Sequence, residues 1–118
     1  MKKKTFLYER QAVADQDNSS IKQQHKLLWE YCQKENIEIA GIYTDVGSGL
    51  DFGPGCHQML SKLRGPDNNV SLVLFTGWSR FSRNYSLSKI TVEELKSKEV
   101  ELRAITPPHH FPKLNNSL

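Results

Sequence analysis

Long apolar stretches are missing from this chain of 118 residues. No run comes near the roughly 18 residues that a membrane-spanning helix requires, so no spanning segment is expected. Cysteine is scarce as well. Cys32 and Cys56 are the whole complement and form no Cys-x-x-Cys pair, which fits a reduced cytoplasmic protein better than a disulfide-stapled secreted one. The basic start Met1-Lys2-Lys3-Lys4 runs straight into a β-prone segment with no signal-peptide cleavage pattern. Neither sign of charge dominates: 16 Lys and Arg against 13 Asp and Glu leave a net charge of +3. That balance permits a nucleic-acid partner without requiring one. The glycine-rich stretch 47–55 lacks the Gly-Lys-Ser/Thr ending of a P-loop. No phosphate-cradling glycine loop follows the first β-prone segment either, which counts against a flavodoxin-like or nucleotide-binding domain. Internal repeats and low-complexity segments are absent.

What is present reads as one domain, 37% hydrophobic and 25% charged with a mean hydropathy of −0.57, large enough to bury a core without staples. Thr5-Phe6-Leu7-Tyr8 is a short first strand. Residues 11–19 form a polar loop in which Asp17-Asn18-Ser19 offers an N-cap. A helix over 20–35 follows, with Ile21, Leu28 and Tyr31/Cys32 on one face and Leu27 broadening it. Residues 37–43 alternate as a second strand, and the glycine-rich stretch 44–55 is expected to be a long mobile loop. A short helix over 56–64 carries Met59, Leu60 and Leu63, and Gly65-Pro66-Asp67-Asn68-Asn69 is a turn. The nearly continuous apolar run 70–75 has the pattern of a strand buried on both faces. A polar loop over 77–84, a helix over 86–98 showing Ile90, Val92 and Leu95, and a strand over 100–105 complete the series. Pro107-Pro108 stops that strand, so residues 1–106 form the domain and 107–118 a loose tail. Tyr8, Ile39 and Phe75 are expected in the core. Alternating strands and helices with short connections predict a three-layer α/β fold, a mainly parallel sheet of four to five strands with helices on both faces.

In such folds functional groups gather in the loops at the carboxyl ends of the strands. Here those loops hold Arg10, then Asp45, Ser48 and Gly49, then Trp78-Ser79-Arg80-Phe81-Ser82-Arg83-Asn84. Planar, permanently charged guanidinium groups suit phosphate, and three of them at one point suit a phosphodiester undergoing displacement. Two arginines three positions apart also fit plain solvated charge. Trp78 fits stacking on a base or packing against the next helix equally well. His109-His110 and Cys56-His57 lack the spacing of a zinc ligand set, so no metal site is expected.

Four segments together point to a family. Tyr8-Glu9-Arg10-Gln11-Ala12 resembles the opening Tyr-x-Arg-x-Ser of serine recombinases, the resolvase/invertase family. Ser20-Ile21-Lys22-Gln23-Gln24 resembles their Ser-Ile-x-x-Gln, and Asp45-Val46-Gly47-Ser48-Gly49 their Asp-x-x-Ser-Gly loop. Ser79-Arg80-Phe81-Ser82-Arg83-Asn84 is similar to their Asp-Arg-(Leu/Phe)-Ser-Arg-Asn segment. The order and spacing of all four agree over residues 5–105. The resemblance implies a resolvase-like catalytic domain acting in site-specific DNA recombination. In the family a serine attacks a DNA phosphate, arginines stabilise the transition state, and strands exchange within a tetramer, with no metal and no ATP. It implies that Arg10, Arg80 and Arg83 hold the phosphate with Ser48 beside them, and that position 12 is the nucleophile position.

This sequence departs from the pattern at three points. Ala12 stands where the family has its serine, and a methyl group cannot attack phosphorus. The arginine between the Ser-Gly loop and the next helix falls at Gly53, and the acidic residue before the Arg-x-x-Arg pair is Ser79. Loss of a nucleophile costs roughly a millionfold in rate in covalent enzymes, so the chain is expected not to cleave DNA. Ser19 and Ser20, at the helix start, are better placed for capping than for rescue. Nothing after Ile105 resembles the family's long helix or helix-turn-helix domain, so DNA contact is expected to be weak and electrostatic. The alternative is a non-catalytic interaction or regulatory domain that pairs with an active recombinase. A homo-oligomer is the other partnership expected.

Overall fold

The structure is a computed structural model that describes residues 3–13 and 19–112. Four strands, β1 (Lys4–Gln11), β2 (Glu38–Val46), β3 (Leu72–Phe75) and β4 (Glu101–Ala104), form one sheet in the order β2-β1-β3-β4. Every pairing in it is parallel. Four helices connect them: α1 (Ser19–Lys34), α2 (Pro54–Arg64), the single turn α3 (Trp78–Phe81) and α4 (Tyr85–Ser97). The chain steps from β1 out to β2, crosses back past β1 to β3 and continues to β4. With right-handed crossovers this reversal puts α1 on one face and α2, α3 and α4 on the other.

The side-chain alternation of β1 sorts the core into two layers. Phe6 and Tyr8 pack with Met59, Leu60 and Leu63 of α2, with Phe81 of α3 and with Leu95 of α4. Leu7 turns the other way, joining Leu72, Leu74 and the α1 residues Leu28 and Cys32. This is the three-layer α/β arrangement read from the sequence, with the sheet at four strands. Tyr8 and Phe75 lie in the core, and Ile39 is half-buried against the α1 layer.

The elements differ from the sequence expectation where polar residues are buried. β1 runs to Gln11 rather than Tyr8, because Glu9, Arg10 and Gln11 are all buried and β2 pairs with them as far as Val46. The polar loop over 77–84 contains the turn α3, anchored by buried Phe81. On α1 the buried positions are Gln24, Leu28 and Cys32, while Leu27 is exposed rather than broadening the face. On α4 the sheet side carries Ser88, Thr91 and Leu95, and Ile90 points to solvent. Asn84 caps α4 by accepting a 3.1 Å bond from Leu87 N–H. The expected cap at Asp17-Asn18 lies outside the described residues.

Of the expected loose tail, residues 107–112 pack against the domain. Trp78 Nε1 donates to the Pro108 carbonyl at 3.0 Å, Phe111 meets the Trp78 ring edge-on at 5.1 Å, and Ala104 N–H donates to the His109 carbonyl at 2.9 Å. Trp78 also meets Phe75 at 4.8 Å, so its role in the fold is packing.

Candidate phosphate site

β3 pairs with β1 only as far as Leu7, so beyond that point the backbone of β1 loses its neighbour on the β3 side while keeping β2 on the other. Gln24 of α1 takes the place of β3. Arg10 N–H donates to Gln24 Oε1 at 3.1 Å, and Gln24 Nε2 donates back to the Arg10 carbonyl at 2.8 Å. A side-chain amide thus imitates one rung of sheet, which is why a glutamine sits on the buried stripe of α1. The stripe at 24, 28 and 32 is the one sequence signal that could have revealed it, and the reading from apolar residues passed over it.

Arg10, 5% exposed, ends in a guanidinium held by three carbonyls. Nη1 donates to Gly47 at 2.7 Å, Nε to Arg80 at 3.3 Å, and Nη2 to Ser79. Three of its N–H groups are therefore spent joining the loop after β2 to the turn after β3. Gly49 has a φ of +83°, and a Cβ there would lie 2.5 Å from Arg10 Cζ. The close approach and the left-handed backbone both demand glycine. The same loop, expected to be mobile, is stitched to the third one: Arg83 N–H donates to the Gly49 carbonyl at 2.7 Å, Ser82 Oγ to the same carbonyl at 3.1 Å, and Asn84 Nδ2 to Leu50 at 3.3 Å.

Arg80 is half-buried and donates through Nη1 to the Arg10 carbonyl at 3.3 Å, while Arg83 is exposed. Burial pushes the Arg10 guanidinium below its ordinary pKa, and the charges of Arg80 and Arg83 push the same way against Tyr8 and Asp45. The charges of Arg80 and Arg83 thus both reach the Arg10 guanidinium. Ser48 is exposed on the adjoining turn, its Oγ accepting from Leu50 N–H at 3.3 Å. Ala12, exposed, directly follows β1.

Asp45 faces inward, with 6% of its surface exposed. Its carboxylate accepts from Tyr8 Oη at 2.6 Å, Gly55 N–H at 2.7 Å and Cys56 N–H at 2.8 Å. It therefore caps α2 from another strand, because the N-cap residue Gly53 has no side chain to do so. A Cβ on Gly53 would lie 2.6 Å from Asp45 Cγ, so a larger residue at 53 would displace the cap. Burial, then the Asp45 hydrogen bond, pushes the Tyr8 phenol up. Burial, with Asp45 adding, pushes the Cys56 thiol up to about 12. Cys56 is therefore an inert core residue. His57 packs edge-on against Phe52 at 6.0 Å, and among the described residues no three of His, Cys, Asp or Glu gather to hold a metal.

A second polar pair lies beneath Arg10. Glu9, 1% exposed, meets Nδ1 of His25 on α1 at 2.9 Å. Burial raises the Glu9 pKa, and the hydrogen bond and charge of His25 offset part of that rise.

A parallel sheet in the order β2-β1-β3-β4, with helices on both faces and arginine-bearing loops at the carboxyl ends of its strands, defines the class: a three-layer α/β domain. The family described as "Resolvase, N terminal domain" matches residues 5–115, and the chain belongs to that family. Solved structures agree on the fold. The N-terminal catalytic domain of TP901-1 integrase has a TM-score of 0.76 at 22% identity, covering 87% of this chain and 77% of that one. A resolvase family site-specific recombinase from Streptococcus pneumoniae has 0.74 at 24%, covering 88% and 72%. A serine recombinase from Sulfolobus solfataricus has 0.68 at 25%, covering 90% and 72%. No curated protein matches.

Proposed function

We propose that this resolvase-family domain, whose setting is site-specific DNA recombination, holds a DNA backbone phosphate between Arg80 and Arg83. In this reading Arg10 braces the two loops and adds charge, and Ser48 sits at the rim. What supports it is Arg80 Nη1 seated on the Arg10 carbonyl near the end of β1, the charges of Arg80 and Arg83 both reaching Arg10, Arg10 committed to carbonyls and Arg83 open to solvent. Ala12 supplies no hydroxyl, so the chain binds without cutting. No cofactor enters this reading. Contact with DNA is weak and electrostatic, and its location is the cytoplasm, where its substrate lies. No described helix is long and apolar enough to cross a membrane.

A second reading is a non-catalytic partner of an active recombinase, or of a second copy of itself. The exposed Ala12-Val13 pair at the nucleophile position favours it.

Covalent trapping tests the site. The protein is mixed with supercoiled plasmid carrying the DNA that flanks its gene, quenched with denaturant and examined for protein–DNA adducts. The native chain is expected to give none. Ala12→Ser is expected to give an adduct in which the serine oxygen has displaced a sugar oxygen from phosphorus. An adduct with the native chain overturns the claim of inactivity.

A further inference from the structure

Arg80 rides on a helix too short to stabilise itself. α3 is a single turn, Trp78–Phe81, and its N-cap Gly77 offers no side-chain bond to the first amides. One turn of helix nucleates at a net cost, so packing must hold it. The inner side is held by Phe81, stacked on Phe75 at 5.0 Å, and by Arg10, which donates to the Ser79 and Arg80 carbonyls. The outer side is held by the strap of residues 106–112. Thr106 N–H donates to the Thr76 carbonyl at 3.1 Å, and Ala104 and His109 exchange two bonds of 2.9 Å. Trp78 Nε1 donates to the Pro108 carbonyl at 3.0 Å, and Tyr85 Oη to the Pro112 carbonyl at 3.1 Å.

Phe111 closes this strap. Its ring meets Trp78 at 5.1 Å and Tyr85 at 4.8 Å. Trp78 stands two residues before Arg80, and Tyr85 two residues after Arg83. One side chain therefore touches both ends of the segment that carries the two arginines. We infer that Phe111 is a positioning residue for the phosphate site: by clamping Trp78 and Tyr85 together it sets where Arg80 and Arg83 stand relative to one another. The inference rests on the phosphate reading above. A phenyl ring carries no charge and donates no N–H or O–H bond, so Phe111 acts on an anion through the arginines. The core survives loss of the clamp, because Phe75 and Phe81 stay packed in the layer that holds Tyr8. The arginines are then in place for only part of the time, and affinity falls with that fraction.

Two measurements on the full chain test it. The first needs no DNA: the NMR order parameters of the Arg80 and Ser82 amides, which close α3 on the Gly77 and Trp78 carbonyls. In Phe111→Ala they are expected to fall from the rigid value of about 0.85 toward about 0.6, while the amides of β1 and β3 stay rigid. The second is fluorescence anisotropy of a labelled duplex oligonucleotide over a range of salt concentrations. Phe111→Ala is expected to bind roughly three- to tenfold more weakly, the effect of about two lost ring pairs, and to keep the native salt slope because no charge is removed. Phe111→Tyr retains the ring and is expected to match the native chain in both measurements. Phe111→Leu retains apolar bulk without the ring and is expected to fall between, which keeps the test open should the alanine variant fail to fold. Arg83→Ala separates the two claims, with an expected loss of affinity and of about one unit of salt slope. Unchanged order parameters in Phe111→Ala and Phe111→Leu overturn the clamp, as does loosening spread equally over β1 and β3. A loosened α3 with unchanged binding, where Arg83→Ala binds weakly, overturns the positioning role and leaves the phosphate reading standing. Unchanged binding in Arg83→Ala overturns the phosphate reading and the positioning role with it.

Discussion

Asp45→Ala removes the acceptor on which three separate donors depend. The carboxylate is buried and receives Tyr8 Oη at 2.6 Å together with the amides of Gly55 and Cys56 at 2.7 and 2.8 Å. Losing it orphans two N–H groups at the start of α2, a capping loss of about 1–2 kcal/mol. It also leaves the Tyr8 hydroxyl buried without a partner, at about 1–3 kcal/mol. Together the expected loss is on the order of 3 kcal/mol, a large part of the 5–15 kcal/mol that holds a typical domain together, and roughly 10 °C in Tm. Urea unfolding followed by circular dichroism measures it. Asp45→Asn keeps the shape and one acceptor oxygen, so about half the loss is expected. Tyr8→Phe, alone and combined with Asp45→Ala, completes a double-mutant cycle, with an expected coupling of about 1 kcal/mol or more. A loss below about 1 kcal/mol for Asp45→Ala, or no coupling to Tyr8, would refute the account of Asp45 as the trans cap of α2.

Gly49→Ala is expected to cost at least about 1–2 kcal/mol from the left-handed backbone alone, with more from displacing Arg10; unfolding at the native midpoint checks it. Arg80→Ala and Arg83→Ala are expected to leave the unfolding midpoint within about 0.5 kcal/mol of native while weakening oligonucleotide binding and lowering its salt slope by about one each. Arg10→Ala is expected to lower stability as well, because three carbonyls lose their donor, so unfolding and binding measured together separate brace from ligand. Stability should also carry the mark of Glu9. A carboxyl whose folded pKa is raised binds its proton more tightly in the native state, so stability falls as pH rises from the ordinary glutamate value through the raised one. Glu9→Gln is expected to flatten that fall, and an unchanged pH profile of the unfolding midpoint counts against the desolvation argument.

The sequence alone determined the order of strands and helices, the parallel sheet and the three arginines. Each depends on local signals: apolar runs, turn residues and the spacing Arg80-x-x-Arg83. The glycine at 53 and the alanine at 12 were visible as departures, but not their surroundings. Only the tertiary structure decided which polar residues were interior. Glu9, Arg10 and Gln11 fell beyond the strand end expected at Tyr8, and Gln24 outside the expected apolar face of α1, because a hydropathy pattern counts a polar side chain as exposed. Each is buried against a partner distant in sequence that satisfies its hydrogen bonds. For the same reason Ile90 and Leu27, apolar at helical spacing, could not be told from core residues until the helices were set on the sheet. Asp45 is the plainest case. Its position in a Ser-Gly loop motif suggested site chemistry, whereas its three donors come from β1 and from the start of α2, brought together only when the chain closes.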